Sequence, residues 1–220
     1  MTDVIVVLGV FLVSFFLGSI PWGLIISRVF FHEDIRKHGS GNIGTTNAMR
    51  TMGKAGGTAV FILDFGKGLV SGFIGLYAVT HFVTGGGSPE SGIFTRDLVL
   101  ALATSGATLG HIFSPWLGFH GGKGIAAAIG GLFVAFGIPG ALAELAIFAV
   151  LVLVTRYVSI GSMVSAGACP FLALYFMAGD WPAILCCAIT GFTCVWAHRA
   201  NIARLRAGTE RRVGDKHKED

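Results

Sequence analysis

Three stretches of this chain combine glycine, hydrogen-bonding side chains and a cation: GSGNIGTTNAMR at 39–50, GFHGGKGIAAA at 118–128 and HRANIARLRAGTE at 198–210. Such combinations serve phosphate binding, because glycine lets backbone amides turn toward an anion and Lys or Arg supplies the opposing charge. In the first stretch Gly39, Gly41 and Gly44 satisfy Gly-x-Gly-x-x-Gly. Ser40, Asn42, Thr46 and Asn47 add hydrogen-bonding groups, and Arg50 lies on a helix that this stretch can begin. A dinucleotide-binding reading requires a preceding strand and a parallel sheet; the apolar run VIVVLGVFLVSFFLGSIPWGLIIS precedes it instead. In the second stretch Lys123 stands among Gly121, Gly122 and Gly124. It is not a Walker A loop, since Leu117 takes the place of the first glycine and Gly124 follows the lysine where Ser or Thr is required. In the third, His198, Asn201 and Arg204 recur every three residues, along one side of a helix. The plainer readings are an ordinary glycine-rich turn for the first stretch and a snorkelling interfacial lysine for the second. A snorkelling lysine, however, needs no collar of glycines.

A membrane must position these clusters. Of 220 residues, 53% are hydrophobic and 13% charged, against roughly 25% charged in an ordinary soluble domain. Apolar segments run over 4–27, 58–83, 98–117, 124–136, 141–154, 158–178 and 181–197, several of them near the roughly 20 residues that cross a bilayer. Strand-like alternation is missing. The expected fold class is therefore an all-α integral membrane protein with seven transmembrane helices, two of them (124–136 and 141–154) short and divided at Gly137-Ile138-Pro139-Gly140. Val4 to Ser27 has no basic residues before it and exceeds a signal-peptide core in length, so it is expected to be a retained helix.

With seven crossings, residues 28–57, 118–123, 155–157 and the chain from 198 share one side, and they carry every Lys and Arg except Lys67 and Arg96. The positive-inside rule then places the N-terminus outside, the C-terminus in the cytoplasm, and all three clusters at the cytoplasmic face. Residues 1–210 are expected to form a single transmembrane domain and 211–220 a charged, disordered tail.

Charges inside apolar segments need partners. Asp64 and Lys67, three apart, are expected to pair, because an unpaired ion at that depth costs roughly 3 kcal/mol on insertion scales. His111 and Glu144 are buried by position, and Ser162 lies near the cytoplasmic surface within reach of the clusters. Cys169, Cys186, Cys187 and Cys194 lack Cys-x-x-Cys spacing and read as packing residues. No metal-ligand cluster is visible, and neither metal, cofactor nor nucleic-acid partner is expected.

Taken together, GSGNIGTTNAMR, DFGKG at 64–68, GHIFSPWLGFHGGKGIA at 110–126, RYVSIGS at 156–162 and HRANIARLRAGTE resemble, in order and across nearly the whole chain, the bacterial membrane acyltransferase family that moves a fatty acyl group from acyl-phosphate to glycerol 3-phosphate. The resemblance implies a seven-helix enzyme of the bacterial cytoplasmic membrane with its active site facing the cytoplasm. It also implies that Ser40, Arg50, Lys123, Ser162, His198 and Asn201 form the substrate site. One departure is visible: the family usually places an arginine directly before the third-motif histidine, whereas Ala197 precedes His198 here and Arg199 follows it.

On that resemblance, the 1-hydroxyl of glycerol 3-phosphate attacks the acyl-phosphate carbonyl and yields lysophosphatidate and inorganic phosphate. The expected catalytic residues are Lys123, His198, Asn201 and Ser40, with Gly39, Gly41, Asn42, Thr46, Asn47, Arg50, Gly121, Gly122, Gly124, Ser162 and Arg204 binding the substrates. No His-x4-Asp dyad is present, so the base is either His198 or a phosphate oxygen of a substrate. The second is preferred because no carboxylate stands at helical spacing to orient His198. A covalent acyl-Ser40 intermediate lacks a neighbouring base. The competing class is a membrane transporter for a phosphorylated or other anionic small molecule, with glycine-broken helices at mid-membrane. The partners expected are the two substrates and the lipid bilayer, and the sequence is compatible with a monomer.

Overall fold

The computed structural model describes residues 2–87 and 94–215. Among these residues the chain is all helical: α1 (Thr2–Ser19), α2 (Trp22–Phe30), α3 (Thr45–Thr51), α4 (Gly53–Phe82), α5 (Arg96–Ile112), α6 (Ile125–Ala135), α7 (Gly137–Thr155), α8 (Val158–Phe176), α9 (Trp181–Ala197) and α10 (Arg199–Arg206), with short 3-10 turns between some of them. Five spans are long and apolar enough to cross a membrane: α1 with α2, α4, α5 extended to Leu117, α7, and α8. A sixth is counted if α9 and α10, bent by 50° at His198, are taken as one span; α6 is a shorter apolar helix.

Two expectations need correction. The first apolar run is not one continuous helix. It breaks at Ile20-Pro21, where proline removes a backbone donor and disfavours helical backbone in the residue before it. Nor is the segment expected at 141–154 short. The single residue Phe136 separates α6 from α7, Gly137 takes a left-handed backbone (φ 69°), and α7 runs for 19 residues. Pro139 falls in its first turn, where a missing N–H breaks no helical bond. The Gly-Ile-Pro-Gly stretch therefore starts a helix instead of forming a loop.

Close backbone approach holds the bundle together. α5 is the most enclosed of the long spans. Gly18 of α1 sits directly on the Ala107 backbone of α5, and Gly68 of α4 on the Ala127 backbone of α6, with no room for a Cβ at either place. Small residues at helix crossings are how membrane helices gain dispersion contacts when lipid offers no hydrophobic contrast. The outer faces carry large apolar side chains such as Leu153, Val154 and Phe171, as contact with lipid chains requires. Thr95 caps α5 by accepting from Leu98 N at 3.1 Å, and Asp180 caps α9 by accepting from Ala183 N at 3.0 Å.

The charged tail expected from 211 is described as far as Asp215, and that part folds back on the α7–α8 connection. Val213 N donates to Arg156 O at 2.7 Å, Arg156 Nη2 to Val213 O at 2.6 Å, and Arg212 Nε to the Tyr157 hydroxyl at 2.9 Å. Residues 216–220 of the expected tail lie outside the described residues.

Candidate active site

The first cluster is a loop pinned from inside. Asn47, 2% exposed, donates through Nδ2 to Asn42 O (2.8 Å), His38 O (3.1 Å) and Ile35 O (3.3 Å), and its Oδ1 accepts from Ser40 N at 2.9 Å. Gly39, at φ 60°, packs against that side chain with no space for a Cβ. Gly41 N donates to His38 O at 3.0 Å, and Gly44 N to Asn42 Oδ1 at 2.9 Å. The amides of Ser40, Gly41 and Gly44 are therefore engaged within the loop and do not form the anion cradle the sequence pattern implied. The same bonds turn Asn42 and Asn47 into supports of the loop. Ser40 and Thr46 remain exposed, and no bond among the described residues ties them to the other clusters. Arg50, on α3, is half-buried.

The second cluster hangs from the end of α5. Gly121 N donates to Ile112 O at 2.9 Å and Gly122 N to His111 O at 3.0 Å. A Cβ on Gly121 would strike the His111 carbonyl, and one on Gly122 the His111 ring. The glycine collar of Lys123 is thus a packing requirement against His111, and the amides at 121 and 122 are not free for phosphate. Gly124, at φ 82°, turns the chain into α6. Lys123 itself emerges half-buried. Burial lowers its pKa to about 8; Glu210 pulls it up, while Arg204 and Arg50 push it down.

The third cluster forms where α9 bends into α10. His198 is 2% exposed, and its Nδ1 donates to Cys194 O at 2.8 Å. A carbonyl only accepts, so this bond fixes the proton on Nδ1 and leaves Nε2 as the acceptor of the neutral ring. Asn201 Nδ2 donates to Glu210 Oε1 at 2.6 Å and Arg204 Nε to Glu210 Oε2 at 2.7 Å. Asn201 Oδ1 is buried and has no partner among the described residues, an unsatisfied acceptor of the kind that marks functional sites. Arg199 leaves the cluster and stacks on Trp196, its guanidinium 4.1 Å from the ring centroid.

Glu210 is the residue that sequence reasoning passed over. Burial opposes its ionisation, but the hydrogen bonds from Asn201 and Arg204 prevail and hold the carboxyl below its ordinary range. The chain reaches it by turning back at Gly208 (φ 69°) after α10. A glycine just past a helix end, followed by a lone carboxylate in a basic stretch, was the available signal.

The clusters meet electrostatically. Burial lowers the Arg50 pKa, Arg211 lowers it further, and Glu210 and Arg204 both act on it. Lys123 and Glu210 both act on His198. Asn201 and Arg204 bind the Glu210 carboxylate directly, and Arg50, Lys123 and His198 lie within electrostatic range of it. Ser159 also acts on that carboxylate, and Ser162 is buried one turn further along α8, with no bond among the described residues to the three clusters.

A family model described as glycerol-3-phosphate acyltransferase matches residues 8–208. A glycerol-3-phosphate acyltransferase of Thermosynechococcus vestitus is 41% identical over 211 residues, covering 95% of this chain and 96% of the relative. Among solved structures, PlsY (YgiH), an integral membrane glycerol 3-phosphate acyltransferase, is similar in its glycerol 3-phosphate form with TM-score 0.79 and 31% identity, over 94% of this chain and 96% of that one. Its lysophosphatidic acid form gives TM-score 0.76 and 30% identity, over 94% and 95%.

Proposed function

This chain belongs to the glycerol-3-phosphate acyltransferase family and is an acyltransferase, and on that premise we propose that it transfers a fatty acyl group from acyl-phosphate to the 1-hydroxyl of glycerol 3-phosphate. The products are lysophosphatidate and inorganic phosphate. The observation that carries this reading is the gathering of Arg50, Lys123 and Arg204 around Glu210 beside the acceptors of His198 and Asn201. Two phosphate-bearing substrates need several charge-assisted donors, and a hydroxyl nucleophile needs a nearby acceptor.

In the reaction, the substrate hydroxyl oxygen bonds to the acyl carbonyl carbon, the carbon–oxygen bond to phosphate breaks, and the hydroxyl proton passes to a phosphate oxygen. Lys123, Arg50 and Arg204 hold the phosphates and offset the charge that moves onto the leaving group. Asn201 Oδ1 and His198 Nε2 orient the hydroxyl. His198 serves poorly as the base, because its Nδ1 proton faces the Cys194 carbonyl and not a carboxylate that would stabilise the imidazolium. Acyl-phosphate is a mixed anhydride with a good leaving group, so positioning and charge supply most of the rate. Ser40, Thr46 and Ser162 complete the substrate contacts in this reading, and Ser40 forms no acyl-enzyme.

The chain crosses the bacterial cytoplasmic membrane seven times in this proposal, through α1 with α2, then α4, α5, α6, α7, α8 and α9. The amino end lies outside and the carboxyl end in the cytoplasm, and residues 1–210 act as one domain in a monomer. Charge supports this arrangement: in it every Lys and Arg except Lys67 and Arg96 falls at the cytoplasmic side. Family membership sets aside the transporter alternative. The test is lysophosphatidate formation by purified protein in a lipid mesophase, given glycerol 3-phosphate and acyl-phosphate, with acyl thioester as the control donor. Turnover with acyl-phosphate alone, and its loss in Lys123→Ala, is expected; equal turnover with the thioester overturns the donor, and equal lysophosphatidate formation by the variant overturns the site.

A further inference from the structure

Asp64 and Lys67 form their expected pair, with Nζ 2.8 Å from Asp64 Oδ1. The pair is not isolated. Lys67 Nζ also donates to His111 Nδ1 at 2.9 Å and to Ile20 O at 3.0 Å. Asp64, Lys67 and His111 are 1%, 4% and 5% exposed, so no solvent screens them. Ile20 lies at the α1–α2 break, and its carbonyl accepts from Trp22 N at 3.1 Å as well as from Lys67. His111 is the residue against which Gly121 and Gly122 pack and to which Gly122 N is bonded. Ser114 Oγ and Trp116 Nε1 further tie the segment after α5 to Ser19, at 2.7 and 2.8 Å. One ammonium group thus joins α4, the α1–α2 break and the end of α5, and to that end is bonded Gly122, one residue before the lysine of the active site.

We infer that Asp64, Lys67 and His111 are positioning residues for glycerol 3-phosphate binding: the triad clamps the His111 ring, the ring seats Gly121 and Gly122, and these set where Lys123 stands. None of the three touches substrate. The inference rests on the function proposed above for its kinetic consequence, though not for its geometry. His111 Nδ1 faces both the Lys67 ammonium at 2.9 Å and Asp64 Oδ1 at 3.4 Å, and Gly122 covers the Nε2 edge of the ring. Asn at 111 keeps an acceptor for Lys67 but loses the flat surface on which the glycines rest.

The experiment compares wild type, His111→Asn and the charge-free pair Asp64→Asn/Lys67→Met, each with and without Lys123→Ala. The pair is included because removing one charge alone leaves the other buried and unfolding can follow. In the Lys123 background, KM for glycerol 3-phosphate is expected to rise about tenfold or more with kcat changed far less, the effect of displacing a binding group by a fraction of an ångström. In the Lys123→Ala background, where turnover is lost, the same changes are expected to alter glycerol 3-phosphate affinity, read by calorimetric titration, by less than about twofold, because residues acting through one group are not additive. Additive losses in both backgrounds overturn the inference, since a general packing defect adds. A second reading needs no turnover: acylation of Lys123 by a water-soluble amine reagent, followed by mass spectrometry, is expected to change severalfold in His111→Asn while Lys37 and Lys54 label as before. Unchanged Lys123 labelling overturns the inference even if the wild type proves inactive toward acyl-phosphate, an outcome that would count against the proposed donor alone.

Discussion

Asn201 donates its side-chain amide to Glu210 at 2.6 Å, and the other oxygen of that carboxylate takes Arg204 at 2.7 Å. The carboxylate thereby fixes two members of the third cluster and offsets the mutual repulsion of Arg50, Lys123 and Arg204. Anion sites are usually read by their cations, but here a single anion lets three cations share one space before substrate arrives.

Replacement of Glu210 by Gln keeps the shape and removes the charge. Hydrogen bonds to charged groups contribute about 1.5–3 kcal/mol, so kcat/KM for phosphate release is expected to fall roughly ten- to a hundredfold. A change of less than about twofold would show that the cations tolerate one another unaided.

Lys123 sets the pH response. Its pKa is lowered to about 8, by burial first and then by Arg204 and Arg50 against the pull of Glu210. Substrate binding needs the ammonium, so KM for glycerol 3-phosphate is expected to rise as pH climbs through about 8. Stability runs the other way: between that value and the unfolded lysine value of 10.5, the unfolded chain holds a proton that the folded chain has lost, so folding gains with pH. Lys123→Arg stays charged throughout and should flatten the rise in KM. A variant profile that still breaks near pH 8 assigns the titration to another group.

The parts of the site written locally were legible in sequence, and those made by tertiary return were not. Arg50, Lys123, His198, Asn201 and Arg204 stand out because polar residues at the ends of apolar segments have few other reasons to be there. Glu210 escaped notice because it meets Asn201 only after the chain reverses at Gly208. Gly121 and Gly122 looked like an anion cradle, since conformational freedom and close packing both call for glycine; only the position of His111 separates the two. Pro139 read as a break because a proline in a first turn and one in a helix interior look alike until the helix start is known. Spans and their charge bias needed no tertiary knowledge, which is why the helical segments emerged with their approximate limits.

The loop at 39–50 depends on Asn47, which makes its bonds inward. Asn47→Ala strands the Ser40 amide and the Asn42 carbonyl and removes one of the two bonds to His38 O, each bond contributing about 1 kcal/mol. Faster proteolysis within residues 38–44 and a several-fold loss in kcat/KM are expected, while the melting temperature of the membrane bundle holds. Gly39→Ala should show the same pattern, because a Cβ there meets the Asn47 side chain at a backbone angle unfavourable to alanine. Full activity with an intact loop in either variant would remove Asn47 from the account.

His198 distinguishes the two sources of a base. If a phosphate oxygen accepts the proton, His198→Ala loses an orienting contact and should keep measurable single-turnover chemistry at saturating glycerol 3-phosphate, with KM raised roughly tenfold. If the imidazole is the base, binding stays normal and the chemical step slows by about 10²- to 10⁴-fold. Rapid-quench measurement of lysophosphatidate formation separates these outcomes without relying on steady-state rates. The hydrogen bond from Nδ1 to the Cys194 carbonyl at 2.8 Å favours the first, because a neutral carbonyl orients the ring but does little to stabilise the imidazolium that a base must become.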